Sequence, residues 1–229
     1  MLFDIDGTLL SGATDAHLAA MQVALHEVHG VTAEPKRARP SRAGRTDGEI
    51  ARMILLGAGL SAQRIDEHAD EVRKRCCESY ARLCPLDLSD AVLPAVGELL
   101  EWLSARDDVR LGLVTGNYEP IARLKLARAG IGKYFPPRQG AFGSDSEDRA
   151  ALPAIARRRA RAGGVPHPRG RTLVIGDTPL DVACARADGL RCLAVATGPF
   201  AVDELTDADG VAADAGALRA VLEAQFGRP

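Results

Sequence analysis

The sequence predicts an α/β protein: a doubly wound, Rossmann-like parallel sheet carrying a small all-helical cap inserted after its first strand. Three observations predict it. Short apolar runs alternate with helical periodicity through the second half of the chain, the pattern of parallel strands joined by helical crossovers. Four of these runs lead into polar or acidic residues, at the strand ends where an open parallel sheet binds ligands. Between the first run and about Leu93, where the alternation begins, lie three successive helical patterns and no strand.

In chain order, the first run is only Met1-Leu2-Phe3. Central strands usually have about five or six residues, so either this strand is short or the sequence begins inside it. Asp15 to His29 places Leu18, Met21, Leu25 and Val28 on one helical stripe. A Pro-, Arg- and Gly-rich loop runs from about Val31 to Arg45. Thr46 with Glu49 three positions later then reads as a capping box opening a second helix, which Gly57 and Gly59 end. Ser61 to Leu83 is the longest periodic segment, with Ile65, Ala69, Val72, Cys76, Tyr80 and Leu83 on one face and Pro85 as its stop. A helix from Leu93 to Ala105 precedes a strand at Arg110 to Thr115; further buried strands are expected at Gln139 to Phe142, Thr172 to Ile175 and Cys192 to Ala196. Residues 1–13 and 88–229 are thus assigned to the α/β core, and 14–87 to the cap.

A chain of 229 residues with 46% hydrophobic and 26% charged residues is long enough for one such domain with an insertion. Its net charge of −2 lacks the basic footprint of a nucleic-acid or anionic-membrane binder and favours a small-molecule partner. The run Arg157, Arg158, Arg159, Arg161 reads as a solvated helix face. Cys76, Cys77, Cys84, Cys184 and Cys192 have neither zinc-ligand spacing nor the density of a disulfide scaffold, which suits reduced thiols and a cytoplasmic location. No cationic, apolar leader opens the sequence and no run of about eighteen apolar residues occurs, so a soluble protein is expected.

The strand ends carry the chemistry. The first leads into Asp4-Ile5-Asp6-Gly7-Thr8, the second into Thr115-Gly116-Asn117, the third into an acidic stretch with Arg149, and the fourth into Gly176-Asp177-Thr178-Pro179-Leu180-Asp181. Asp4 and Asp6, two apart in extended backbone, leave on the same face. Thr115 offers a hydroxyl, Gly116 a backbone amide and Asn117 a side-chain amide to a phosphate oxygen, although Thr-Gly-Asn also reads as a turn into a helix with Pro120 near its start. Thr178, Pro179 and Asp181 are a helix start in their own right.

In order and spacing these four elements resemble the motifs of the haloacid dehalogenase superfamily, over essentially the whole chain. Gly44-Arg45-Thr46-Asp47 and Glu147-Asp148-Arg149 are similar to its phosphoglycolate-phosphatase-like branch. The resemblance implies that Asp4 is a nucleophile attacking phosphorus, and that Asp6 protonates the leaving oxygen and later takes a proton from the attacking water. It implies a magnesium site of Asp4, Asp177, Asp181 and the backbone carbonyl of Asp6. Gly7, Thr8, Gly116, Asn117 and, from the cap, Arg45 are expected to bind substrate, with Thr115 and Arg149 completing the catalytic set. Arg149 stands where the superfamily usually has a lysine; it is alternatively a surface arginine paired with Glu147 or Asp148. His17, His26, His29, His68 and His167 read as surface or core residues.

The implied activity is hydrolysis of a phosphate monoester of a small phosphorylated metabolite by a monomer or homodimer. Dehalogenation needs no acid at position 6. A phosphonate hydrolase would need a cap lysine, and only Lys36 and Lys74 are offered. A phosphomutase of the β-phosphoglucomutase type uses the same core chemistry, and a catalytically silent binding module could share the fold.

Overall fold

The computed structural model describes residues 1–32, 42–161 and 164–226, with side chains described as far as Ala224. The loop expected at Val31 to Arg45, and Lys36 within it, lie largely outside the described residues. The elements run β1 (Leu2–Phe3), α1 (Asp15–His29), α2 (Asp47–Gly57), α3 (Ala62–Leu83), α4 (Val96–Ser104), β2 (Gly112–Thr115), α5 (Glu119–Arg128), β3 (Ala141–Phe142), α6 (Leu152–Arg159), β4 (Leu173–Gly176), α7 (Pro179–Ala187), β5 (Arg191–Val195), β6 (Gly210–Ala212) and α8 (Ala215–Phe226).

The six strands form one parallel sheet in the order β3-β2-β1-β4-β5-β6. The chain winds from β1 outward through β2 to β3, then returns to the other side of β1 for β4, β5 and β6. The strand order therefore reverses beside β1, and the crevice at its carboxyl end is the natural ligand site of such a sheet. Phe3 is in register with Leu113 of β2 and Ile175 of β4, and the Asp4 amide donates to the Ile175 carbonyl at 2.9 Å. Asp4 thus leaves the sheet level with the ends of both neighbours.

All five expected strands are present within two residues of their expected limits. The sixth, β6, was not expected: Gly210-Val211-Ala212 is three residues with one branched apolar side chain, too short for a periodicity to register. It pairs with β5, and Ala212 is buried.

The helices of the 14–87 block pack on one another, α1 along α3, and α3 also meets α5 beside the sheet. On α1 the buried face is His17, Ala20, Met21, Ala24 and Leu25, so the stripe is rotated from the expected one and Leu18 and Val28 are only half-buried. On α3, Ile65, Val72, Cys76 and Tyr80 are buried as expected, but Leu83 at the helix end is 46% exposed and Cys84 turns inward instead. The Thr46 capping box is half made. The Thr46 hydroxyl accepts from the Glu49 amide at 3.1 Å, while the Glu49 carboxylate pairs with Arg45 rather than reaching back. The two connections between sheet and helical block run side by side: Ser11 donates to Ala91 at 2.8 Å and Leu93 to Leu9 at 3.0 Å.

Arg157 departs from the solvated face expected of its run. It is buried against α7's end, where its guanidinium donates to both carboxylate oxygens of Asp188 at 2.6 and 3.0 Å. Among the described residues no helix is long and apolar enough to cross a membrane, and all five cysteines are free.

Candidate active site

The carboxyl ends of β1, β2 and β4 open into a cavity of about 490 Å³ whose lining includes Asp4, Asp6, Gly116, Asn117, Arg149 and Asp177 from the core side. Across it, His17, Met21, Arg42, Arg45, Asp47 and Ile50 line the wall made by the helical block. The four sequence motifs therefore converge on one place.

Asp4, Asp177 and Asp181 are buried, with carboxylate oxygens within 4.8 Å of one another. Burial pushes the Asp4 carboxyl up to about 7, against the pull of Arg149. Burial, then the neighbouring Asp181 and Asp4, push Asp177 up to about 9. Three like charges held this close and dry are short of positive charge, which a cation supplies. Asp177 fits that role: its Oδ1 accepts from the Thr8 hydroxyl at 2.9 Å, while its Oδ2 is buried with no hydrogen-bond partner. Asp181 is differently placed. One oxygen takes the Arg149 guanidinium, and the other accepts from the Thr178 amide at 3.0 Å and hydroxyl at 2.7 Å, completing the capping box of α7. The oxygen facing Arg149 keeps a lone pair that a cation shared with Asp4 and Asp177 can take.

The glycines are there for close approach. A Cβ on Gly7, which has φ +87°, would lie 2.2 Å from the Asp177 carboxylate, and one on Gly116 would lie 2.1 Å from the Arg45 carbonyl. Gly7 thus lets the first loop pass directly beside Asp177, and Gly116 lets the helical block sit directly on the β2 loop. The Asp47 amide donates to the Gly116 carbonyl at 2.8 Å and the Asp47 carboxylate accepts from the Tyr118 amide at 2.7 Å. On the neighbouring loop the Thr46 hydroxyl donates to the Glu147 carbonyl at 2.7 Å and Arg52 pairs with the Glu147 carboxylate at 2.6 Å.

Arg149 is not the surface arginine of the alternative reading. It is buried, joined to Asp181 and 3.4 Å from Asp4, and its Nε lacks a partner. Burial opposes its charge, but Asp181 and Asp4 outweigh that and hold it protonated. Two residues expected at the site are not in the cavity lining: Thr8 donates to Asp177, and Thr115, fully buried, accepts from the Asn117 amide at 3.4 Å and keeps its own hydroxyl hydrogen to donate. Arg45 lines the cavity while paired with Glu49.

Asp6 is held chiefly by a residue absent from the sequence reading, Lys125. Lys125, fully buried on α5, donates to its Oδ1 at 2.8 Å and Oδ2 at 2.6 Å, and Asn117 Nδ2 donates to Oδ2 at 3.0 Å. His17 belongs to the same cluster, 3.3 Å from Lys125 and 3.1 Å from Asp47, so it is neither a surface nor a plain core histidine. Burial pushes the Asp6 carboxyl up, but the Lys125 ammonium bonded to it outweighs that and the net shift is downward. A signal for Lys125 was present: it falls on the same helical face as Ile121, Ala122 and Leu126, a charge on an apolar stripe.

A parallel sheet with an acidic nucleophile candidate at its switch point, a cation-short carboxylate cluster and a helical wall defines a class of hydrolase. The model of the haloacid dehalogenase-like hydrolase family matches residues 1–186, and the chain belongs to that family. It is 31% identical over 212 residues to a phosphoglycolate phosphatase of Rhodospirillum rubrum, covering 86% of this chain and 79% of that one. It is 28% identical over 210 residues to a phosphoglycolate phosphatase of Pseudomonas fluorescens, covering 86% and 69%. Among solved structures, a hydrolase from Pseudomonas syringae superposes with a TM-score of 0.68 at 22% identity, covering 97% of each chain. CbbY from Rhodobacter sphaeroides, in complex with phosphate, superposes with a TM-score of 0.67 at 20% identity, covering 95% of this chain and 94% of that one.

Proposed function

We propose that the chain is a magnesium-dependent phosphatase that releases phosphate from a small phosphorylated metabolite through an aspartyl-phosphate on Asp4, with residues 14–87 acting as its cap. The observation that carries the reading is the convergence of Asp4, Arg149, Asp177 and the Gly116-Asn117 loop on the lining of one cavity between the sheet end and the helical block. Relatives named phosphoglycolate phosphatases make a phosphorylated carboxylate the first substrate to try, and Arg42 and Arg45 on the cavity wall suit a second anionic group.

A carboxylate oxygen of Asp4 attacks phosphorus as the ester P–O bond breaks, and Asp6 gives a proton to the departing oxygen. Asp6 is pulled toward its ionised form by Lys125, and the arriving phosphate dianion favours the protonated form it needs. Arg149 and the Gly116 amide balance charge on the transferring group. Water then attacks the acyl phosphate, losing a proton to Asp6, and Asp4 is regenerated. Magnesium would be held by the side chains of Asp4 and Asp177 and the Asp6 carbonyl, and supplies positive charge that lets a carboxylate approach a phosphate.

A panel of phosphate monoesters, assayed with and without magnesium for released phosphate, tests the reading. Metal-dependent release is expected; conversion of a sugar phosphate to its isomer without release would assign a mutase instead, and binding without turnover would assign a silent module.

A further inference from the structure

We infer that Lys125 is a positioning residue for the general acid and base of this site: it fixes the Asp6 carboxylate toward the leaving group and keeps it out of the cation cluster. The inference rests on the phosphatase reading above and adds to it a residue from the middle of a helix, outside the four motifs.

A fully buried ammonium is costly unless each of its donors is used, and here all three are. Two go to the two oxygens of Asp6, at 2.8 and 2.6 Å. The third goes to His17 Nδ1 at 3.3 Å. That nitrogen must then accept, so the proton of a neutral His17 sits on Nε2 and is donated to Asp47 Oδ2, 3.1 Å away. Asp47 is in turn fixed by the Tyr118 amide at 2.7 Å. The line Asp47–His17–Lys125–Asp6 therefore crosses from the helical block to the catalytic strand end with every donor and acceptor matched.

Geometry gives Asp6 two places to go. It stands two residues from Asp4, beside a cluster of carboxylates short of positive charge, yet the cluster comprises Asp4, Asp177 and Asp181 without it. The Lys125 fork, with Asn117 Nδ2 at 3.0 Å, takes up both Asp6 oxygens instead. A carboxylate so clamped keeps one orientation while its proton comes and goes, and misplacing such a group by about 1 Å costs about 10²-fold in rate.

The test uses the leaving group. A primary alkyl phosphate needs its departing oxygen protonated, whereas 4-nitrophenyl phosphate departs as a stable phenolate and does not. Phosphoenzyme formation is measured by rapid acid quench with both esters, for wild type and Lys125→Met, with Lys125→Gln as a second variant should the first fail to fold. The expected result is a loss of about 10²-fold with the alkyl ester and little change with the nitrophenyl ester, with KM kept for both. Equal losses with both esters, or no loss with either, overturn the inference while leaving the phosphatase reading intact. A folded wild type that forms no phosphoenzyme from either ester overturns both.

Discussion

Gly7 and Asp177 lie so close that a single added carbon on the glycine would sit 2.2 Å from the Asp177 carboxylate. The backbone there has φ +87°, and Asp177 is steadied by Thr8, the residue after the glycine. The first motif therefore shapes the fourth as well as carrying its own acids. Gly7→Ala is expected to destabilise the fold by about 1–2 kcal/mol from its left-handed backbone alone, and to raise the magnesium concentration for half-maximal activity by about 10-fold or more as Asp177 is displaced. Urea unfolding and metal titration read the two effects separately.

Arg149 joins two buried acids, so removing it does more than weaken substrate binding. Arg149→Met leaves Asp4 and Asp181 without their shared cation, and a loss of about 3–5 kcal/mol in unfolding free energy is expected at neutral pH. Arg149→Lys should recover part of that stability, because charge returns, and less of the activity, because one point charge replaces a fork.

Metal and pH act on the same carboxylates. Asp4 and Asp177 move from ordinary values of 3.8 to about 7 and about 9 on folding without metal. Between the unfolded and folded values the native state binds more protons than the unfolded state, so the metal-free protein loses stability as pH rises from about 4 to about 9. Magnesium needs the ionised forms. The rise in Tm on adding magnesium should therefore be larger at about pH 8 than at about pH 5, by differential scanning calorimetry; a shift independent of pH would contradict the account.

Asp188 anchors Arg157 from inside the fold, and Arg169 adds a further donor at 3.0 Å. Asp188→Ala leaves a buried guanidinium unpaired and should cost about 3–5 kcal/mol in stability, with kcat and KM unchanged at a temperature where the variant is folded.

What the sequence made legible was whatever lies at a strand end. Asp4, Asp6, Thr115 and Asp177 each follow an apolar run, so the alternation that located β1, β2 and β4 also located them. The illegible part is of two kinds. Gly210–Ala212 is too short to show a period, and it becomes a strand by pairing with β5 at the sheet edge. Lys125, His17 and Asp47 come from three separate helices, and their meeting depends on how the helical block docks on the sheet. Arg157 misled for the same reason: its partner, Asp188, is 31 residues away, on the turn that ends α7.

The central claim is that Asp4 carries the phosphoryl group. The most direct measurement is mass spectrometry of the Asp4 peptide from enzyme quenched in acid during turnover of a substrate with magnesium present. One phosphoryl group on Asp4, absent without metal and absent in a folded Asp4→Asn protein that releases no phosphate, is the predicted result. Undiminished phosphate release by Asp4→Asn, or a phosphoryl group found on another residue, would contradict it.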